Sequence, residues 1–186
     1  MDLAASFGRT FSIEASRADE RALVRAAQGG SRDAMERLYR LHWPRAYRAA
    51  YLVVHDAAGA EDIAQEAFLA AVRALDRFDR RRPFGPWLHR IVVNRAIDWA
   101  RARALRAEVE ADEALPAPDL SHDGVPELVR RLAPLPPDQR AVIVLRHLLE
   151  YTPGEIAELL DLPRGTVNSR LRRGLDALRE DGVPSA

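Results

Sequence analysis

The chain has 186 residues, 47% of them apolar, with 28 acidic residues, 28 basic residues and no cysteine. That length holds one domain or two small ones. The missing cysteines exclude disulfides, thiol redox sensing and cysteine-ligated zinc, and a formal net charge of zero argues, on its face, against a nucleic-acid binder. No apolar run is long enough to span a membrane. The opening MDLAASFGRTFSIEASRADE lacks the basic start and apolar centre of a secretory signal, so a cytoplasmic chain without membrane insertion is expected.

Residues 1–17 read as a loosely attached tail. Arg17–Gln28 is a short helix closed by Gly29-Gly30. Ser31 and Asp33 open the next, with Met35, Leu38, Tyr39 and His42 on one side. Pro44 interrupts or kinks it, because proline cannot donate the backbone bond. A continuation carries Ala46, Tyr47, Ala50, Tyr51 and Val54. Asp56–Gly59 is a turn, and Glu61–Leu75 a third long helix. On it Glu61, Asp62, Gln65 and Glu66 cluster early, where acids favour the helix macrodipole. Phe78–Pro83 is a basic loop, followed by a helix from about Pro83 to Ala104. Phe84, Trp87, Leu88, Ile91 and Ile97 form its buried face. Arg90, Asn94, Arg95, Asp98, Arg101 and the run Arg80–Arg82 remain for the other side. Cations interleaved with aromatics and an asparagine suit single-stranded nucleic acid, although a core helix with a solvated charged face gives the same pattern. Trp99 is either core or a stacking platform.

Charge is unevenly placed along the chain. From Arg77 to Arg106 there are nine arginines and two acids, a net of +7; from Ala107 to Val129 there are seven acids and no basic residue. The two blocks cancel in the total while staying apart, which points to a basic nucleic-acid surface beside an acidic tether. LPAPDLSHDGVPE has linker composition. The expected class is therefore all-α: a helical domain at 18–106, a flexible acidic linker at 107–125, and a smaller helical domain at 126–182.

The smaller domain ends in YTPGEIAELLDLPRGTVNSRLRRGLDALRE. Thr152, Pro153 and Glu155 make a capping-box start. Ile156, Ala157, Leu159 and Leu160 give an apolar face, and Asp161-Leu162-Pro163 breaks the helix. In the next helix Val167, Leu171, Leu175 and Leu178 form one buried stripe. Ser169, Arg172 and Arg173 point away from it, with Thr166 and Asn168 near its edges. This is a helix-turn-helix whose second helix suits the major groove. Every basic residue of the chain is arginine, which lowers the weight of any single one. The five histidines are scattered, and no paired metal spacing, phosphate loop or nucleophile elbow occurs. Neither an enzyme nor a bound cofactor or metal is expected.

Four blocks in order resemble the extracytoplasmic-function (ECF) class of bacterial sigma-70 factors. LYRLHWPRAYRAAY is similar to the start of its second conserved region. AEDIAQEAFLAAVRALDRFD resembles the polymerase-binding helix, with its Asp-x-x-Gln-Glu-x-Phe pattern. PFGPWLHRIVVNRAIDWARAR resembles the promoter-melting and upstream-recognition part, and residues from LAPLPPDQR to Glu180 resemble the fourth region. The resemblance implies that Asp62, Gln65 and Glu66 dock on core RNA polymerase. It implies that the loop Phe78, Asp79, Arg80, Arg81, Arg82 and Phe84 captures a flipped base of the minus ten element, and that Asn94, Asp98 and Arg101 contact its upstream edge. Thr166, Asn168, Ser169, Arg172 and Arg173 fall on the helix that reads the minus thirty-five element. It also implies promoter DNA and an anti-sigma factor as partners. Asn168 and Arg172 depart from residues common in the family, so no promoter sequence transfers. The competing reading is a dimeric helix-turn-helix repressor or activator that binds duplex operator without polymerase. It leaves the basic loop and acidic tether unexplained.

Overall fold

The structure is a computed structural model that describes residues 17–109 and 127–180. Those residues form eight α-helices and no strand. They are α1 (Arg17–Gln28), α2 (Arg32–Val54), α3 (Ala57–Ala74), α4 (Phe84–Val109), α5 (Glu127–Leu132), α6 (Pro137–His147), α7 (Pro153–Leu160) and α8 (Arg164–Glu180), with a 3₁₀ turn at Leu75–Arg77. The expected tail lies outside the described residues except for Arg17, and the expected linker except for the last turn of α4.

Helices α2, α3 and α4 pack on one another, with α1 across α2. Leu38, Val53, Leu88, Val92 and Val93 are fully buried among them. Small residues let these helices approach closely: Ala46, Ala49, Ala50, Ala60, Ala64, Ala67 and Ala96 have no exposed surface. Helix α2 runs unbroken through Pro44, which corrects the expected interruption. Pro44 and Arg40, whose carbonyl loses its donor, are both exposed, so water can satisfy the freed group. The helix ends on His55 in the left-handed conformation, φ 57°.

Helix α3 starts four residues earlier than expected. Asp56 caps it, its carboxylate accepting from Gly59 N at 2.7 Å. Gly59 is there for space: a Cβ would come within 2.7 Å of the Trp99 indole. From Phe84 to Ala100 helix α4 is buried on more than one face, since α2, α3, α6 and α7 all touch the helix, whereas most of its residues from Arg101 to Arg106 are exposed. Val92, Val93, Ala96 and Ala100 therefore join the one face foreseen.

In the second group α6 and α7 pack on α8. The capping box forms as expected: Glu155 N donates to Thr152 Oγ1 at 3.3 Å and Thr152 N to Glu155 Oε2 at 2.8 Å. Asp161, not Pro163, ends α7, by entering the left-handed region at φ 54°. Pro163 begins α8 instead, its carbonyl accepting from Thr166 N and Val167 N. Helix α6 packs against α2 and α4, and α7 against α4, so one continuous seam joins the two groups.

Candidate nucleic-acid interface

Three surfaces carry the residues singled out in the sequence. On α3, Asp62, Gln65 and Glu66 are all exposed. They stand in the second and third turns, because the helix begins at Ala57. The first turn contains no acid, so the macrodipole does not account for the cluster. Glu66 Oε2 accepts from Arg95 Nη1 at 2.7 Å, and Gln65 Nε2 donates to Glu61 at 3.2 Å. Leu69 and Val72 continue the same face, 54% and 45% exposed. Sequence reading missed them, because apolar residues in an apolar helix look like core. Tyr39 stands beside them on Phe68, with ring centroids 4.9 Å apart.

The second surface is the loop between the 3₁₀ turn and α4. Arg80, Arg81 and Arg82 are exposed, as is Asp79, which accepts from Arg81 N at 3.0 Å. Phe78 and Phe84 lie in the core against Trp87, with centroids 4.5 Å and 5.6 Å from its ring. Their rings hold the ends of the loop, and the exposed residues between them are charged except for Pro83. Helix α1 secures both ends too. Gln28 Nε2 donates to the carbonyls of Leu75 and Phe78 at 2.8 Å and 3.1 Å. Glu20 Oε1 accepts from Phe84 N at 2.9 Å, standing in for the missing local cap of α4. His42, its Nε2 3.3 Å from Glu20 Oε2, and the backbone donors of Phe84 and Gly85 hold the Glu20 carboxyl below its ordinary range, against the opposing effect of burial.

Along α4, Asn94 is half-buried while Asp98 and Arg101 are exposed. Trp99 is packing, which resolves its two readings. It fills the space over Gly59, and the Arg103 guanidinium sits 5.3 Å from its ring centroid.

The third surface is α8. Asn168, Arg172 and Arg173 are exposed, Thr166 and Ser169 half-buried, and Val167, Leu171 and Leu178 buried. None of Thr166, Asn168, Ser169, Arg172 or Arg173 has a hydrogen bond or ion pair among the described residues, apart from the helix backbone and the Pro163 bond to Thr166 N.

The seam brings together residues that no local pattern links. Arg140 of α6 donates from Nη1 to His55 Nδ1 at 2.8 Å, and both side chains are buried. A guanidinium only donates, so that ring nitrogen is bare. Burial first, and Arg140 second, push the His55 value down to about 4. Burial alone lowers Arg140 to about 10. His89 of α4 shares a 2.8 Å hydrogen bond with the Tyr151 hydroxyl. Burial lowers His89 to about 3 and pushes Tyr151 up. Asp138 of α6 accepts from Arg101 Nη2 at 2.7 Å and 3.0 Å and lies 3.5 Å from Arg170 Nη2. No cluster of metal-ligating side chains exists among the described residues, and no described helix is long and apolar enough to cross a membrane.

The sequence matches the family descriptions Sigma-70 region 2 over residues 38–106 and Sigma-70, region 4 over residues 127–178. It is 35% identical to the ECF RNA polymerase sigma factor SigW of Bacillus subtilis (strain 168), over 84% of this chain and 93% of SigW. Among solved structures, CnrH in complex with the cytosolic domain of CnrY is similar with a TM-score of 0.66 and 30% identity, covering 87% of this chain and 95% of CnrH. The sigma factor RpoE of Bartonella quintana, solved with the anti-sigma factor NepR, shares the fold at a TM-score of 0.64 and 23% identity, over 78% of this chain and 94% of RpoE.

Proposed function

The chain belongs to the ECF class of the sigma-70 family and serves as a transcription initiation factor, and on that premise we propose how its residues divide the work. Residues 18–106 form the unit that engages polymerase and the minus ten element, and residues 126–182 the unit that engages the minus thirty-five element. The 107–125 stretch tethers them.

The exposed face of α3 is the polymerase contact: Asp62, Gln65 and Glu66 supply polar complementarity, and Leu69 and Val72 the apolar area. Asp79 and Arg80–Arg82 face the minus ten element, with Phe78 and Phe84 anchoring the loop that presents them. A flipped base costs a few kcal/mol of unstacking, which a loop held at both ends can offset because it is ordered before binding. Asn94, Asp98 and Arg101 extend this surface upstream. Thr166, Asn168, Ser169, Arg172 and Arg173 enter the major groove of the minus thirty-five element, where guanidinium forks grip guanine edges or phosphates.

The observation that carries this division is the exposed face of α3, where Leu69 and Val72 continue the surface of Asp62, Gln65 and Glu66. A repressor that bound operator unaided would have no use for exposed Leu69 and Val72 beside a carboxylate cluster. Polymerase supplies the frame: two weak DNA contacts held at a fixed spacing act at high effective concentration. The chemistry of nucleotide addition belongs to polymerase, so this chain needs no catalytic group. CnrH is held by a second protein in its solved complex; a protein anti-sigma factor that covers the same faces is the corresponding partner here, and the cytoplasm is the corresponding place of action.

Run-off transcription with purified core polymerase tests the division. Glu66→Arg is expected to weaken core binding about tenfold or more, as reversing an interfacial charge does. Arg173→Ala is expected to leave core binding unchanged and to lose upstream promoter contact in footprints. Equal loss of core binding in both variants would overturn it.

A further inference from the structure

The match to Sigma-70 region 2 begins at residue 38, so α1 lies outside it. Yet α1 is tied to both ends of the basic loop by side-chain hydrogen bonds. Its inner face supplies Glu20 and Gln28, which hold the two ends of that loop. Its outer face carries Arg21 and Arg25, one turn apart and both exposed. These two arginines, with Arg80 and Arg81, line an open hollow of about 620 Å³. No carboxylate among the described residues lines it. Arg21, Arg25 and Arg80 have no ion pair among the described residues, and Arg81 has only Asp79 at 3.4 Å.

We propose that Arg21 and Arg25 join Arg80 and Arg81 in a phosphate cradle that grips the backbone of the promoter strand presented to the loop. The inference rests on the sigma-factor reading and adds α1 to its DNA surface. Four guanidinium groups around one hollow repel one another, and a polyanion relieves that repulsion while releasing its own counterions. The chemistry fits a phosphodiester backbone rather than a lipid surface. The exposed large apolar side chains Tyr39, Leu69, Val72 and Leu105 all lie on other helices, so among the described residues this face has none to insert into a bilayer. Arginine forks bind phosphate bidentately without reading sequence, so the cradle fixes the register of the strand and leaves base choice to the loop. Because Glu20 and Gln28 couple α1 to the loop ends, a strand held by α1 is held in a constant position relative to the loop.

The test uses holoenzyme assembled from core polymerase and the full chain, on a fluorescent promoter fragment across a potassium chloride titration. The double variant R21A/R25A removes two exposed side chains and keeps Glu20 and Gln28. It is expected to bind core as the wild type does. Its plot of log affinity against log salt is expected to be shallower by about 1.4, the share of two single-strand phosphates. A threefold rise in salt then costs the wild type about five times more affinity than the variant. A scrambled minus ten sequence should show the same difference, since the contact is to backbone. An unchanged slope with core binding intact overturns the cradle and leaves the sigma-factor reading standing. Failure of the wild type itself to bind core overturns the reading beneath it. A variant that loses binding of inorganic phosphate but keeps the full salt slope also overturns the assignment to DNA.

Discussion

The bundle of α2, α3 and α4 and the seam that joins it to α6 and α7 are both buried, but by opposite chemistry. The bundle is dry: Leu38, Val53, Leu88, Val92 and Val93 fill it, and alanines bring the backbones together. The seam buries an arginine against a neutral histidine and packs a tyrosine against another histidine, and at its exposed edge a carboxylate stands between two guanidinium groups. It also leaves a hollow of about 250 Å³ lined by Leu52, Leu132, Ile143 and Leu175 among others. Apolar burial contributes roughly 25 cal/mol per Å² with no partner to find, whereas a buried charge first loses its hydration and regains it only in part. His55 Nε2 and Arg140 Nε show the shortfall, since neither has a hydrogen-bond partner among the described residues. A fold made this way has one part that must persist and one that can separate at modest cost, as a factor whose two heads reach distant promoter elements requires.

The contrast breaks first at Leu88, fully buried at the centre of the bundle. Leu88→Ala is expected to cost about 2–5 kcal/mol in denaturant unfolding. A loss below about 1 kcal/mol would mean the bundle is not the stable part.

Acid sharpens the contrast next. The structure keeps His55 neutral, with its value lowered from 6.5 to about 4. At pH 7 no stability is lost. As the pH falls below 6.5 a released His55 takes up a proton that the buried one does not, so the seam weakens down to about pH 4, by about 3 kcal/mol in all. Scattering should show the particle expanding in that window while helix content holds. Replacing His55 with glutamine should remove only its own share of the pH response, because His89, held neutral on the same seam and lowered to about 3, takes up a proton on release over the same window. An unchanged radius down to pH 4 would contradict the assignment.

The smallest effect is expected at Asp138. Its partner Arg101 is more than half exposed, and exposed pairs contribute about 0.2–1 kcal/mol. Asp138→Asn should move the melting temperature little and shift an interdomain fluorescence distance toward longer values. A thermal penalty as large as that of Leu88→Ala would show that the seam and the bundle melt as one.

Local signals were legible in the sequence where one element sufficed. The capping box at Thr152 and Glu155, the buried stripe of α8 and the basic loop all stand where the spacing put them. The left-handed ends at His55 and Asp161 were not legible, because neither residue is glycine. The start of α3 was misread because Gly59 looks like a turn residue, when its purpose is room for the Trp99 indole 40 residues on. Helix α4 defeated a one-face reading because neighbours pack on more than one of its faces. The contact between His55 and Arg140 spans 85 residues, beyond any periodic pattern. Leu69 and Val72 became visible as a surface only once the other face of α3 was seen to be filled.

One carboxylate has a further consequence. Asp138 accepts from a single Arg101 nitrogen with both oxygens at hydrogen-bonding distance, and so occupies the donor a backbone phosphate would use. With Arg101 on the DNA surface proposed above, the folded chain carries a decoy for its own ligand. DNA that claims Arg101 must first evict the counterfeit, and added salt weakens the DNA contact more, because only the polyanion gains from counterion release. Rising ionic strength therefore hands that arginine back to Asp138.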